Sequence, residues 1–224
     1  SQLSGGLSML AKKRRVQTLQ GVATFLGANE LQVEHEGDKQ LVEFKHAVIA
    51  TGSRPNRLPF LPDDERIFDS TGALNLKKTD GHLVVIGGGI IGCEMATVYR
   101  GMGAKVTVLE VLPTIMAGAD PKHASICVEE MKKQGIVFQC STKINSVVAG
   151  KDLTIHVEDE EGARDIICDQ ILYSVGRRAK GHDLAAHAAG VLVDEHGFVE
   201  VDEYMRTNQE HIYAIGDVAT TPYD

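Results

Sequence analysis

No two of the four cysteines, Cys93, Cys127, Cys140 and Cys168, stand close enough in sequence to make a C-x-x-C pair. That spacing excludes a local zinc knuckle and a local redox disulfide, and leaves four small side chains suited to burial. The nine histidines are scattered as well, without an H-x-x-x-H pair, so no metal site is expected. No stretch approaches the ~18 consecutive apolar residues of a membrane-spanning helix. The opening residues, SQLSGGLSMLAKKRR, lack the long apolar core of a secretory signal. They also lack an initiator methionine, which sets the expectation of a fragment or a processed product. Basic charge is in deficit: 23 Lys and Arg against 31 Asp and Glu give a net charge of −8. That balance argues against a nucleic-acid surface and favours solubility. The one basic run, Lys12–Arg15, reads as the solvated end of a short helix. These absences together set the expectation of a cytoplasmic protein with no membrane and no nucleic-acid partner.

What is present is apolar content of 43% over 224 residues, enough for one large or two small cored domains. After the first fifteen residues, VQTLQGVATFLG, ELQVEHEG and QLVEFKHAVIATGS alternate as strands, with Gly27-Ala28-Asn29 and Gly37-Asp38 as turns, and so predict a meander. Ala47–Ala50 is a short apolar strand that runs into Thr51-Gly52-Ser53. The segment RPNRLPFLPDDE carries Pro55, Pro59 and Pro62 and reads as an extended connector at a domain boundary. From residue 68 strands and helices alternate: Leu83–Ile86, a helix from Ile90 to Met102, Lys105–Glu110, a helix Lys122–Gln134 capped by Asp120-Pro121, and Ile136–Cys140. That order predicts a parallel sheet with covering helices. The period then becomes two through INSVVAG, LTIHVED and ARDIICDQI. VLVDEHGFVEVDEYMRT reads as a further hairpin, and HIYAIGDVA as a short strand delivering Gly216-Asp217 to its carboxyl end.

Chemistry concentrates in HLVVIGGGIIGCEMA, residues 82–96, where Gly87, Gly89 and Gly92 occupy the three places of G-x-G-x-x-G between an apolar run and a helix. Gly87 makes the tight turn, Gly89 lets the backbone approach a pyrophosphate, and Gly92 lets helix and strand pack closely. The helix start offers N–H groups and a positive dipole end to phosphate. Glu110 lies 23 residues after Gly87, near the ~20 expected of a carboxylate that grips a ribose diol. A glycine-rich turn without a ligand is the plain alternative. Glu94 falls in the first turn of the expected helix, where the dipole alone would favour a carboxylate. Val111, Leu112, Pro113 and Thr114 follow the strand and bring no cation for a 2′-phosphate, so the charge pattern favours NAD over NADP.

Three phrases occur in order, VIATGSRP, VIGGGIIGCE and YAIGDVA, with QLSGGLSMLAKKRRV, FDSTGALNL and RTNQEHIYAIGD around them. In these the chain resembles the two-dinucleotide flavoprotein disulfide reductases, over nearly its whole length. The branch that serves 2-oxo acid dehydrogenase complexes matches best. The resemblance implies an α/β fold: a Rossmann-like nucleotide-binding domain, with a parallel sheet and an antiparallel meander, inserted into part of a second, FAD-binding Rossmann-like domain. Residues 1–67 would be the C-terminal part of the FAD domain, 68–188 the inserted NAD domain and 189–224 the return segment. It further implies that Gly87, Gly88, Gly89, Ile90, Ile91, Gly92, Cys93 and Glu94 line the NAD pyrophosphate and nicotinamide side. Glu110 would hold the adenine ribose, Ile144 would pack on the adenine, and Gly176 would approach the nicotinamide end. Thr51, Gly52 and Ser53 would lie against FAD, Ala23 near its adenosine, and Asp217 would accept a hydrogen bond from the ribityl chain. Glu94 would be an accessory to the flavin–nicotinamide passage, paired in the family with a lysine that this sequence does not contain.

The same resemblance implies a homodimer and, as partner, a dihydrolipoyl domain of a 2-oxo acid dehydrogenase complex. The family's first glycine-rich loop, its cysteine pair with four residues between, and its C-terminal His–Glu pair are not in this sequence. The chain is therefore expected to be the middle of a longer enzyme, to carry no catalytic residue of its own, and to bind NAD without turnover. Other readings are a member of mercuric reductase or soluble transhydrogenase type, or a non-catalytic NAD-binding regulatory domain.

Overall fold

Short apolar alternations separated by Gly and Asn turns cannot bury themselves singly and pair with their neighbours. In the computed structural model, which describes residues 2–220 and side chains from residue 5 onward, this gives helix α1 (Gln2–Lys13) and the strands β1 (Val22–Gly27), β2 (Glu30–His35) and β3 (Asp38–Glu43). The three strands form the antiparallel meander read from the sequence. Lys12 and Lys13 close α1, where the dipole favours cations. Two short strands follow, β4 (Ala47–Ile49) and β5 (Ser53–Pro55).

Two compact units result. One runs through Arg54 and resumes at Arg178; the other is Pro55–Arg177. The second holds β6 (Ile67–Phe68), α2 (Ser70–Ala73), β7 (His82–Ile86), α3 (Ile90–Gly101), β8 (Lys105–Leu109), α4 (Pro121–Lys133) and β9 (Val137–Gln139). It continues through β10 (Lys143–Ala149), β11 (Leu153–Asp159), β12 (Gly162–Cys168) and β13 (Gln170–Tyr173). After β14 (Arg177–Ala179), the chain returns to the first unit and forms β15 (Ile212–Ala214).

The second unit is built on a five-stranded sheet in the order β6-β13-β7-β8-β9, with every neighbour parallel. Parallel strands are buried on both faces, which is why β7 reads HLVVI without alternation. Leu83 and Val85 point to one face and meet α2, α3 and α4 through Ala73, Ala96, Tyr99 and Met131. Val84 and Ile86 point to the other and meet Val147, Leu153, Ile155 and Val157 of the antiparallel sheet β10-β11-β12. The connector belongs to this core as well, through Leu58, Phe60 and Leu61. Caps are set as the sequence implies: the Asp120 carboxylate accepts from the N–H groups of Lys122 and His123, with Pro121 opening α4.

The connector is tied down by Arg66. Its Nε donates to Asp64 Oδ1 at 2.9 Å and its Nη2 to Oδ2 at 2.7 Å, while Nη1 and Nη2 reach the carbonyls of Lys151 and Gly150 in the β10–β11 turn. The side-chain bonds of Arg66 to Asp64, with the 2.9 Å bond from the Arg66 N–H, hold the Asp64 carboxyl at about 2 instead of the usual 3.8. A depressed carboxyl stabilises the fold above the unfolded value and loses that contribution as pH falls through the folded one. The urea midpoint of the wild type is therefore expected to fall between pH 3.8 and about 2. It should fall more steeply than that of Asp64→Asn, and parallel pH profiles would remove the assignment.

In the first unit β15 lies parallel to β4, with Ile212, Tyr213 and Ala214 opposite Ala47, Val48 and Ile49. Phe25, Ile49, Leu184, Val199, Ile212 and Val218 share its core. The tail hairpin expected over 191–207 is reduced to one antiparallel bridge, Val193 to Val199. The reason is local: the Asp194 carboxylate takes the N–H groups of His196 and Phe198, and Asp202 takes those of Tyr204 and Arg206. Side-chain turns thus replace a ladder. Among the described residues no helix is long and apolar enough to cross a membrane.

Candidate functional site

The strand order places β7 between β8 and β13, so the chain leaves β7 to one side and returns on the other. A crevice opens at the carboxyl ends of strands where the order reverses. The glycine loop lies there. Gly87 has φ +104°, and a Cβ on it would strike the Ser174 carbonyl oxygen that follows β13. A Cβ on Gly92 would strike the carbonyl oxygen of Gly87, so α3 approaches the loop as closely as backbone allows. Gly89 differs, because a Cβ there would meet nothing within 4 Å. It is the N-cap of α3, and no side chain caps the helix. The first-turn N–H groups of α3 are thus offered outward, the arrangement that suits an anion.

Glu110 closes the crevice from β8. Its Oε2 accepts from the Gly88 N–H at 2.7 Å and its Oε1 from the Leu112 N–H at 2.9 Å. The space in front of it is a cavity of about 530 Å³. Five of the residues expected to hold a dinucleotide line this cavity: Gly87, Gly89, Glu110, Ile144 and Gly176. Gly88 stands behind the loop, facing Ile115 and Glu110. Ile90, Ile91, Gly92, Cys93 and Glu94 belong to α3 and do not line the cavity.

Cys93 is buried, its Sγ lies 3.5 Å from the Gly88 carbonyl oxygen, and burial pushes the thiol up to about 12. It packs the loop as a neutral thiol and is neither a nucleophile nor a metal ligand at neutral pH. Glu94 needs a correction: α3 begins at Ile90, so Glu94 is its fifth residue, exposed and past the first turn. The dipole fades within one turn and does not account for a carboxylate there.

Sequence reasoning missed Leu58 and Phe60, which the connector brings to the cavity wall, and Lys143, the first residue of β10. Lys143 also qualifies the expectation of no nearby cation. None follows Glu110 along the chain, but β10 supplies one at the cavity, exposed to solvent. The one local signal was Lys143-Ile144, adjacent to a residue already singled out.

The residues expected on the flavin side belong to the other unit. Because β4 and β15 are parallel neighbours, Thr51-Gly52-Ser53 and Gly216-Asp217 emerge at the same edge. Ser53 Oγ donates to Asp217 Oδ2 at 2.7 Å. Ala23 sits half-buried in β1 opposite Val33, inside the meander and not at those strand ends. All four cysteines are free, and no group of three or more His, Cys, Asp or Glu among the described residues is placed to hold a metal ion.

Residues 1–223 match the pyridine nucleotide-disulphide oxidoreductase family. The chain is 41% identical to a dihydrolipoyl dehydrogenase of Vibrio cholerae, over 99% of this chain and 47% of that protein. It is 42% identical to one of Haemophilus influenzae, with the same coverage. The chain thus spans about half the length of the curated relatives it matches. Among solved structures, a Cu(II) complex of a mutant of the HOCl-induced flavoprotein disulfide reductase RclA from Escherichia coli superposes with a TM-score of 0.85. It shares 27% identity and covers 96% of this chain and 49% of that one.

Proposed function

Because this chain belongs to the pyridine nucleotide-disulphide oxidoreductase family, the flavoprotein disulfide reductases, we propose that the unit Pro55–Arg177 binds NAD and that the whole chain is the central portion of a cytoplasmic dihydrolipoyl dehydrogenase. The observation that carries the reading is the Glu110 carboxylate at the mouth of the glycine loop, on a cavity shared with Gly87 and Gly89. The donor set fits the cofactor. Gly89 leaves open space where a pyrophosphate needs close backbone approach. The uncapped start of α3 supplies N–H groups to the phosphates. Glu110 retains lone pairs for a ribose diol and repels a 2′-phosphate, while Ile144 and Gly176 border the remaining cavity. When bound, NAD supplies the hydride-accepting carbon, and the residues of this chain hold it in place and orient it.

The unit formed by the two flanking segments is assigned to FAD on the same footing. Thr51, Gly52, Ser53 and Asp217 would contact it at the shared strand edge, and Ala23 would lie toward its adenosine. Glu94 keeps an accessory role carried by family likeness alone. Identities of 41% and 42% to dihydrolipoyl dehydrogenases, against 27% to RclA, favour that member of the family. In the longer protein the partners would be the dihydrolipoyl domain of a 2-oxo acid dehydrogenase complex and a second copy of the same subunit.

The dithiol chemistry requires a cysteine pair, and the four cysteines here provide none. The 224-residue chain is therefore expected to leave NADH unoxidised in a lipoamide assay, at the rate of a no-protein blank. A longer polypeptide containing it is expected to turn over. Lipoamide-dependent activity from the 224 residues alone would remove this reading.

A further inference from the structure

We propose that Glu110 is a positioning residue that sets the shape of the glycine loop before any ligand arrives, in addition to the ribose contact assigned above, on which reading the inference builds. The ligand-free geometry points to it. One carboxylate spans two backbone donors, Gly88 N–H at 2.7 Å in the glycine loop and Leu112 N–H at 2.9 Å in the segment that follows β8. Charge-assisted bonds of this length are the strong kind.

Gly88 is fixed from its other end as well. Its carbonyl oxygen accepts from the Met116 N–H at 2.8 Å and lies 3.5 Å from Cys93 Sγ. Gly88 has no side chain with which to hold itself, and a Cβ would sit 2.5 Å from Ile115 Cδ1. The peptide that leads into the Gly89 cap is thus held by Glu110 and Met116, both distant in sequence, with Cys93 nearby, and of these three Glu110 alone is charged. Removing the carboxylate frees the Gly88 N–H on the loop and the Leu112 N–H two residues beyond Glu110. It follows that Glu110 substitutions do not simply admit NADP. They weaken both dinucleotides, because the loop that both would use is no longer preset.

The test separates the two roles. Amide exchange at Gly88 and Leu112 is measured in the ligand-free chain for wild type, Glu110→Ala and Glu110→Gln. About tenfold faster exchange at both amides is expected in Glu110→Ala, and at one or both in Glu110→Gln, whose single carbonyl oxygen replaces one acceptor. Exchange within about twofold of wild type at both amides in both variants would overturn the proposal. Affinity is then measured for NADH and for an analogue built on 2′,3′-dideoxyadenosine, which lacks the diol. Roughly tenfold weaker binding of the analogue to Glu110→Ala than to wild type supports the preset loop. Equal binding of the analogue to both leaves Glu110 with the ribose alone and overturns it. If wild type binds neither compound, the NAD reading fails while amide exchange still decides the loop.

Discussion

Replacing Gly92 with alanine is expected to destabilise the unit Pro55–Arg177 by about 3 kcal/mol or more. Propensity alone predicts the opposite sign, since alanine within a helix is favoured over glycine by ~1 kcal/mol. The clash decides the outcome. The new Cβ would overlap the carbonyl oxygen of Gly87, a backbone atom with no rotamer to retreat into. Either α3 lifts away from β7, separating Cys93, Ala96 and Tyr99 from Leu83 and Val85, or the Gly87–Gly88 peptide tilts and strains the 2.7 Å bond from the Gly88 N–H to Glu110. Both routes open a core whose members are at most 1% exposed at these positions. Urea unfolding followed by circular dichroism measures the effect. A midpoint at or above wild type would mean that the close approach of helix and loop is not a constraint.

Substituting valine at Gly89 is expected to do the reverse: leave stability nearly unchanged and weaken dinucleotide binding strongly. Gly89 has φ −72° and ψ −178°, an extended conformation open to any residue, and a Cβ there meets no protein atom within 4 Å. The stability change is expected within about 1 kcal/mol, the scale of an N-cap exchange. The side chain would instead fill the space through which a pyrophosphate reaches the start of α3, weakening NADH binding by about 100-fold, or ~2.7 kcal/mol. Calorimetric titration together with the urea midpoint separates the two glycines. NADH binding that survives Gly89→Val at wild-type affinity would remove the phosphate from this loop.

These two glycines show what the sequence discloses. Gly87 and Gly92 are legible because backbone geometry over a few residues dictates glycine at each place, and Gly89 and Glu110 because the spacing of the motif singles them out. The parallel sheet is legible because apolar strands such as β7, buried on both faces, alternate with helices along the chain, whereas β13 gave no sign that it would join that sheet. The adjacency of Ser53 and Asp217 required family likeness, since 164 residues separate them. Leu58, Phe60 and Lys143 were not legible as cavity residues. Each is placed by packing between distant segments, and a proline-rich connector gives no sign of which core it will join. Glu94 turned on where the helix begins: a first turn at Ile90 leaves it beyond the reach of the dipole. In the tail, alternation suggested a hairpin, but Asp194 and Asp202 satisfied the backbone locally.

Calorimetric titration of the 224-residue chain with NADH and with NADPH tests the central claim most directly. Glu110 faces the cavity with its charge, and Lys143, exposed at β10, offsets it only through screened solvent. NADH is therefore predicted to bind, and NADPH to bind at least about tenfold more weakly. Equal affinities, or a preference for NADPH, would contradict the assignment of this cavity and of Glu110.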